Sequence, residues 1–215
     1  MTEKRMKIIL AFLMLPILIA PLYSSVNANL FAGYYYYGSA GSPPSNGVCA
    51  TIYTINPSVP TGKFVCQWPM VIFSYAYGYY CQVGYVKGSA TGYALEYFYQ
   101  IHNSSGYYTG YTNGSGPSAG SSHTYKISKT NSATEWTFYI DGNNVKTTPV
   151  FSAVDYQCFS ETTSSSININ NTHFTYLEYK QVNDWDLWNQ HVGGADSPYW
   201  LTQTSNYEFY AWGGG

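Results

Sequence analysis

Residues 79–88 read Tyr79-Tyr80-Cys81-Gln82-Val83-Gly84-Tyr85-Val86-Lys87-Gly88. Period-two β-branched and aromatic character closing on Lys-Gly predicts a strand, with Tyr79, Cys81, Val83 and Tyr85 on one face and Gln82 on the other. Gln82 stands beside Gly84, where no side chain blocks a ligand. An amide both donates and accepts, so this spot can hold a carbonyl oxygen. The plainer reading makes Gln82 a surface residue of a half-exposed strand.

Outward from this stretch the same alternation recurs. Val48–Ile55 is a strand ended by Asn56-Pro57, and Lys63–Phe73 is another, carrying Trp68 and interrupted at Pro69, which cannot donate to a central ladder. Tyr93–Ile101 puts Ala94, Glu96, Phe98 and Gln100 on one face. The Gly- and Ser-rich run from Asn103 to Ser122 reads as a loop too polar to pack. His123–Lys129 and Glu135–Ile140 are strands, the second closed by Asp141-Gly142-Asn143-Asn144, a tight-turn signal leading into a strand from Val145. Trp136, Phe138 and Ile140 then face the core. In Tyr156–Thr162, Cys158 and Glu161 fall on opposite faces, as Cys81 and Gln82 do. Thr172–Tyr179 is the last clear strand. No repeat and no helix signal of useful length appears, and many short strands between turn residues predict an all-β fold, a jelly-roll or concanavalin-like β-sandwich of two antiparallel sheets.

Lys4, Arg5 and Lys7 precede an apolar run from Ile8 to Tyr23, and Val26-Asn27-Ala28 supplies small residues, so residues 1–28 read as a secretory signal peptide. A retained anchor needs roughly 20 apolar residues, and this run is shorter and broken by Pro16 and Pro21. Residues 29–47 then form an extended Tyr-, Gly- and Ser-rich entry segment, 48–182 the sandwich, and 183–215 a Trp/Tyr-rich extension open to three placements: added strands, a cover over the concave face, or a contact surface. Removing 28 of 215 residues leaves 187, enough for one sandwich core. That remainder keeps six Lys, no Arg and ten Asp or Glu, a formal charge of −4. Nucleic acid is excluded as a partner, since phosphate binding needs a basic stripe. A surface of Tyr, Ser, Thr, Asn and Gly is solvated by neutral groups and suits an acidic medium or a binding protein. The expected product is a secreted or cell-surface-associated monomer that meets no membrane after signal cleavage.

Cys49, Cys66, Cys81 and Cys158 are an even number in a compartment where disulfides persist. Zinc is the weaker reading, because no C-x-x-C spacing occurs and the four histidines are scattered. If Gln82 and Glu161 share one face on neighbouring strands, Cys81 and Cys158 share the other and can pair, leaving Cys49 with Cys66. A Cys66–Cys81 link across a hairpin competes with that pairing. Asn103, Asn113 and Asn170 begin N-x-S/T sequons and are candidates for glycosylation.

Trp68 in V-C-Q-W-P, Gln82 in Y-C-Q-V-G-Y, Glu96 in A-L-E-Y-F-Y, the W-T-F-Y-I-D-G hairpin and Glu161 in C-F-S-E-T-T together resemble the eqolisins, the glutamic peptidases. The resemblance runs from about Gly47 to Tyr179. It departs at the glutamate: the family carries a Glu-Trp pair there, whereas Glu161 follows Phe159-Ser160 and Glu135-Trp136 lies earlier. The resemblance implies a secreted acid endopeptidase with a Gln82/Glu161 dyad acting on peptide or protein substrates, with no metal and no organic cofactor. Glu161 would take a proton from attacking water and return it to the leaving nitrogen, while the Gln82 amide steadies the oxyanion. Trp68, Tyr80 and Glu96 would line or tune the cleft. Two other classes fit the composition: a sugar-binding jelly roll with Tyr and Trp stacked on pyranose faces, and a self-assembling surface or filament protein. A glycosidase would need two carboxylates, which Glu96 and Glu161 could supply, but the close E-x-D-x-x-E arrangement is missing.

Overall fold

The computed structural model describes residues 29–36, 46–112, 115–130, 133–149 and 151–215. The signal segment and Asn113 lie outside these. The first strands are β1 (Leu30–Tyr36), β2 (Gly47–Tyr53), β3 (Phe64–Ser74) and β4 (Tyr79–Gly88). After a short 3-10 turn come β5 (Leu95–Asn103), β6 (Gly106–Tyr111), β7 (Ser122–Ser128), β8 (Glu135–Ile140) and β9 (Asn143–Pro149). The last are β10 (Asp155–Thr162), β11 (Thr172–Lys180), β12 (Trp185–Leu187), β13 (Val192–Ala195), β14 (Trp200–Ser205) and β15 (Glu208–Trp212).

Alternation sorts these strands into two antiparallel sheets. One has seven strands in the order β13-β1-β10-β3-β4-β5-β6, and the other runs β14-β15-β11-β2-β7-β8-β9 with β12 also on β11. Between them lies one apolar core: Val71, Cys81, Val83, Tyr85, Tyr156 and Cys158 from the first sheet meet Val48, Ala50, Ile52, Tyr125, Ile127, Trp136, Phe138 and Phe174 from the second. Trp136, Phe138 and Ile140 are buried, as their period predicts. The Asp141-Gly142 turn has φ of 48 and 80°, the doubly positive pair that a two-residue hairpin demands.

Four expectations need correction. Residues 30–36 are an interior strand of the seven-stranded sheet, paired on both sides. Residues 183–215 supply four strands of the sandwich itself, and buried Trp188 and Tyr199 anchor them; Tyr199 Oη donates to the carbonyls of Ser164 and Ile167 and accepts from Thr162 Oγ1. Gly106–Tyr111, read as loop because it lacks apolar residues facing a core, is an exposed edge strand on β5. No disulfide forms, and all four cysteines are free and buried. Cys81 and Cys158 do share the core side, but β3 stands between them, with Cys81 opposite Val71 and Cys158 opposite Pro69. Two strand spacings of roughly 4.8 Å exceed the ~7 Å that a disulfide spans between Cα atoms. Cys66 turns to the outer face of its sheet, away from Cys81. Cys49 alternates with core residues Val48 and Ala50 and so faces outward from the other sheet, opposite Lys126 and Glu178.

Pro69 sits in a central strand after all. The β3–β4 pairing is recorded up to Gln67 and again from Met70, so the ladder to β4 is interrupted around Trp68 and Pro69.

Candidate functional site

The outer face of the seven-stranded sheet carries a second apolar cluster, Cys66, Trp68, Met70, Ile72, Val86, Phe98 and Phe159, with Phe31, Tyr35, Phe64, Tyr80 and Tyr111 packed over it. Polar groups are set into this cluster in three places.

The first is Glu161 on β10. Its Oε2 accepts from Trp68 Nε1 at 3.0 Å and from Cys66 Sγ at 3.6 Å, and its Oε1 accepts from Asn29 Nδ2 at 2.5 Å. Burial raises the carboxyl's pKa above the ordinary glutamate value, and the hydrogen bonds from Trp68, Cys66 and Asn29 pull it partly back. The Cys66 thiol is pushed well up by burial and by Glu161, so it is no thiolate nucleophile.

The second is Gln82 on β4. Its Nε2 donates to Gln100 Oε1 at 2.7 Å, Tyr80 Oη donates to the same oxygen at 2.8 Å, and Gln100 Nε2 continues to Thr109 Oγ1 at 3.0 Å. Gln82 Oε1 is buried without a partner among the described residues. The third is Asp155 at the start of β10, which accepts from Tyr75 Oη, from the Tyr156 N–H and, at 3.2 Å, from Gln157 Nε2. Burial pushes its pKa up to about 6 against those three donors.

Register decides what these groups can do together. Gln82 and Glu161 share the outer face, but they are not on neighbouring strands: Gln82 is opposite Met70 and Glu161 opposite Cys66, on either side of β3 and four residues apart along it. Two strand spacings of ~4.8 Å and four rises of ~3.3 Å separate their Cα atoms by roughly 16 Å, with the Trp68 row between. A direct hydrogen bond between the two side chains is out of reach from these backbone positions. The β10 residue in Gln82's own row is Gln157, through Met70: the row reads Tyr35, Gln157, Met70, Gln82, Gln100, Thr109.

The other candidates resolve in the same way. Trp68 is only 2% exposed and holds Glu161 rather than forming an open wall. Glu96 lies in Glu161's row but three strands over, through Cys66 and Val86, and does not approach Gln82's amide. Tyr80 belongs to the Gln82 network. Asn103 is buried, with Oδ1 accepting the Ser105 N–H, and Asn170 is exposed, with Oδ1 accepting the Gly213 N–H. Sequence reasoning missed Asn29, Gln100, Asp155 and Gln157. Gln157 and Gln100 had left a signal, the first in its parity with Glu161 on β10 and the second in its parity with Glu96 on β5.

No family model matches the chain, and neither does any curated protein. Among solved structures, scytalido-glutamic peptidase with a transition-state analogue inhibitor aligns at TM-score 0.64 and 12% identity over 87% of this chain and all of that one. SCP-B, an eqolisin peptidase solved with the tripeptide Ala-Ile-His, aligns at TM-score 0.58 and 11% identity over 87% of this chain and all of that one. The chain therefore has the fold of these peptidases; identity this low speaks for the fold and nothing finer.

Proposed function

We propose that this chain is an exported protein that holds extended peptides on the outer face of its seven-stranded sheet without cleaving them by a Gln/Glu dyad. One observation carries the reading: in the row of Gln82, β10 supplies the amide Gln157, where water attack on a peptide needs a carboxylate. An amide cannot accept a proton from water near neutral or acid pH, so the general-base step has no agent there. Binding remains supported. Gln82 Oε1 is a buried acceptor that lacks a donor among the described residues, and a peptide N–H is a donor of the right kind. The fold is shared with enzymes solved with peptide-based inhibitors and a tripeptide.

The second reading is the acid endopeptidase itself, with Glu161 as acid-base and Gln82 as oxyanion partner. Its support is the Glu161 carboxyl, buried among aromatic rings with a raised pKa, the setting of a proton donor. Incubation with an unfolded protein substrate at about pH 2 to 4, read by mass spectrometry, separates the two. We expect no cleavage by the wild type and new acid cleavage by Gln157→Glu, which places a carboxylate in Gln82's row. Calorimetric titration with a neutral peptide is expected to give saturable heat in both proteins. Wild-type cleavage that Glu161→Gln abolishes would establish the peptidase reading instead.

A further inference from the structure

Away from that face, the other sheet carries a constellation that the peptide reading does not use. Ser121, immediately before β7, places Oγ 2.8 Å from His123 Nε2, and His123 Nδ1 lies 2.6 Å from Asp141 Oδ2. Both contacts are within hydrogen-bond range, in the order nucleophile, base, orienting carboxylate. We propose that Ser121, His123 and Asp141 form a serine-based esterase site for small acyl esters.

The elements hold the three groups with little freedom. Ser121 and His123 are two apart on one extended segment, so their side chains share a face. Asp141 occupies the left-handed turn between β8 and β9 at φ 48°. It is fixed to Thr124 at two points, its N–H donating to the Thr124 carbonyl at 2.9 Å and its Oδ1 accepting the Thr124 N–H at 2.9 Å. That leaves Oδ2 for the imidazole, whose Nδ1–H it accepts, and the remaining nitrogen is the one facing the hydroxyl. Tyr97 Oη lies 3.1 and 3.4 Å from the two ring nitrogens and adds a further polar contact that fixes the ring. The Ser121 hydroxyl has one hydrogen and two acceptors, His123 Nε2 and the Ser118 carbonyl at 2.6 Å; a turn about Cβ–Oγ moves the proton between them while the oxygen stays. The histidine side chain is 20% exposed and the aspartate 44%, so solvent-borne substrate reaches the group. Pairing of β7 with β8 begins only at Tyr125, so the Ser122 N–H, which alternation directs to the same side as the Thr124 N–H, lies beyond the β8 ladder.

The step balances without a co-reactant. Ser121 Oγ bonds to the ester carbonyl carbon as its proton passes to His123 Nε2. The C–O bond to the alcohol breaks, and the alcohol leaves with that proton. Water then adds to the acyl-serine by the same base, releasing the carboxylic acid and restoring the hydroxyl.

Labelling with a fluorophosphonate probe at about pH 8 tests the site in the full chain. Peptide mapping is expected to place the adduct on Ser121. His123→Gln should slow labelling by roughly 10²-fold or more, and Ser121→Ala should abolish both labelling and hydrolysis of p-nitrophenyl acetate above the background rate. Circular dichroism identifies any variant that has failed to fold, and Asp141→Asn, which can keep the bond to Thr124, then serves in its place with a smaller slowing. A wild type that takes up no probe at Ser121, or one labelled at the same rate in folded His123→Gln, overturns the proposal.

Discussion

Glu161 shows how much one residue depends on its donors. A buried carboxyl is tolerated because Trp68, Cys66 and Asn29 all donate to it. Trp68→Phe keeps the ring near Phe159 but removes the N–H. We expect a loss of about 1–3 kcal/mol by urea denaturation at neutral pH, the cost of leaving a buried acceptor short of a partner. The thiols give a second expectation. All four are buried, and burial pushes Cys49 up to about 12 and the other three well up. A thiol reagent should therefore find almost none in the native protein and four after unfolding without reductant; two or fewer would mean that a disulfide exists. At this scale the sequence was legible wherever parity ruled: Gln82 away from Cys81, Glu161 away from Cys158, Trp136 inward. Parity is silent on which strand lies beside which. For that reason the placement of Gln82 and Glu161 on neighbouring strands and the Cys81–Cys158 bridge, both inferred from shared faces, gave way together when β3 fell between them.

At the scale of elements, hairpins were readable and long-range neighbours were not. The β3–β4 and β8–β9 hairpins follow from alternation and turn residues close in sequence, whereas β1 and β13 find partners far along the chain. The polar edge strand β6 was missed because an exposed edge needs no apolar face. Where β3 meets β4, Gly84 lies so close to the neighbouring strand that an added Cβ would come within 1.9 Å of the Gln67 carbonyl oxygen. Backbone cannot yield that much, so Gly84→Ala should force β3 and β4 apart. We expect it to lower the unfolding midpoint more than Gly142→Ala, whose added Cβ meets nothing within 4 Å and suffers only from its positive φ. Equal midpoints would show that β3 and β4 do not pack this closely.

For the whole molecule, three carboxyls, Asp155, Glu161 and Glu178, have pKa values raised first of all by burial. A carboxyl that binds its proton more tightly folded than unfolded favours the folded state when protonated, so stability falls as pH rises from the unfolded value near 4 through the folded one. For Asp155 that window runs from 3.8 to about 6. His191, lowered by burial, acts in the opposite sense below its ordinary value of 6.5. With three groups against one, the melting temperature is expected to be higher at about pH 4 than at about pH 7, and Asp155→Asn should flatten the difference. A melting temperature that rises from acid to neutral would contradict it. The interior place of β1 has a consequence in time as well. Its two hydrogen-bonding neighbours are β10 and β13, both in the last third of the chain. A chain growing from its amino end carries Leu30–Tyr36 as an unpaired, tyrosine-rich ribbon through most of its synthesis. Closure of the seven-stranded sheet at β1 is thus a late, high-contact-order event, which waits for strands in the last third of the chain.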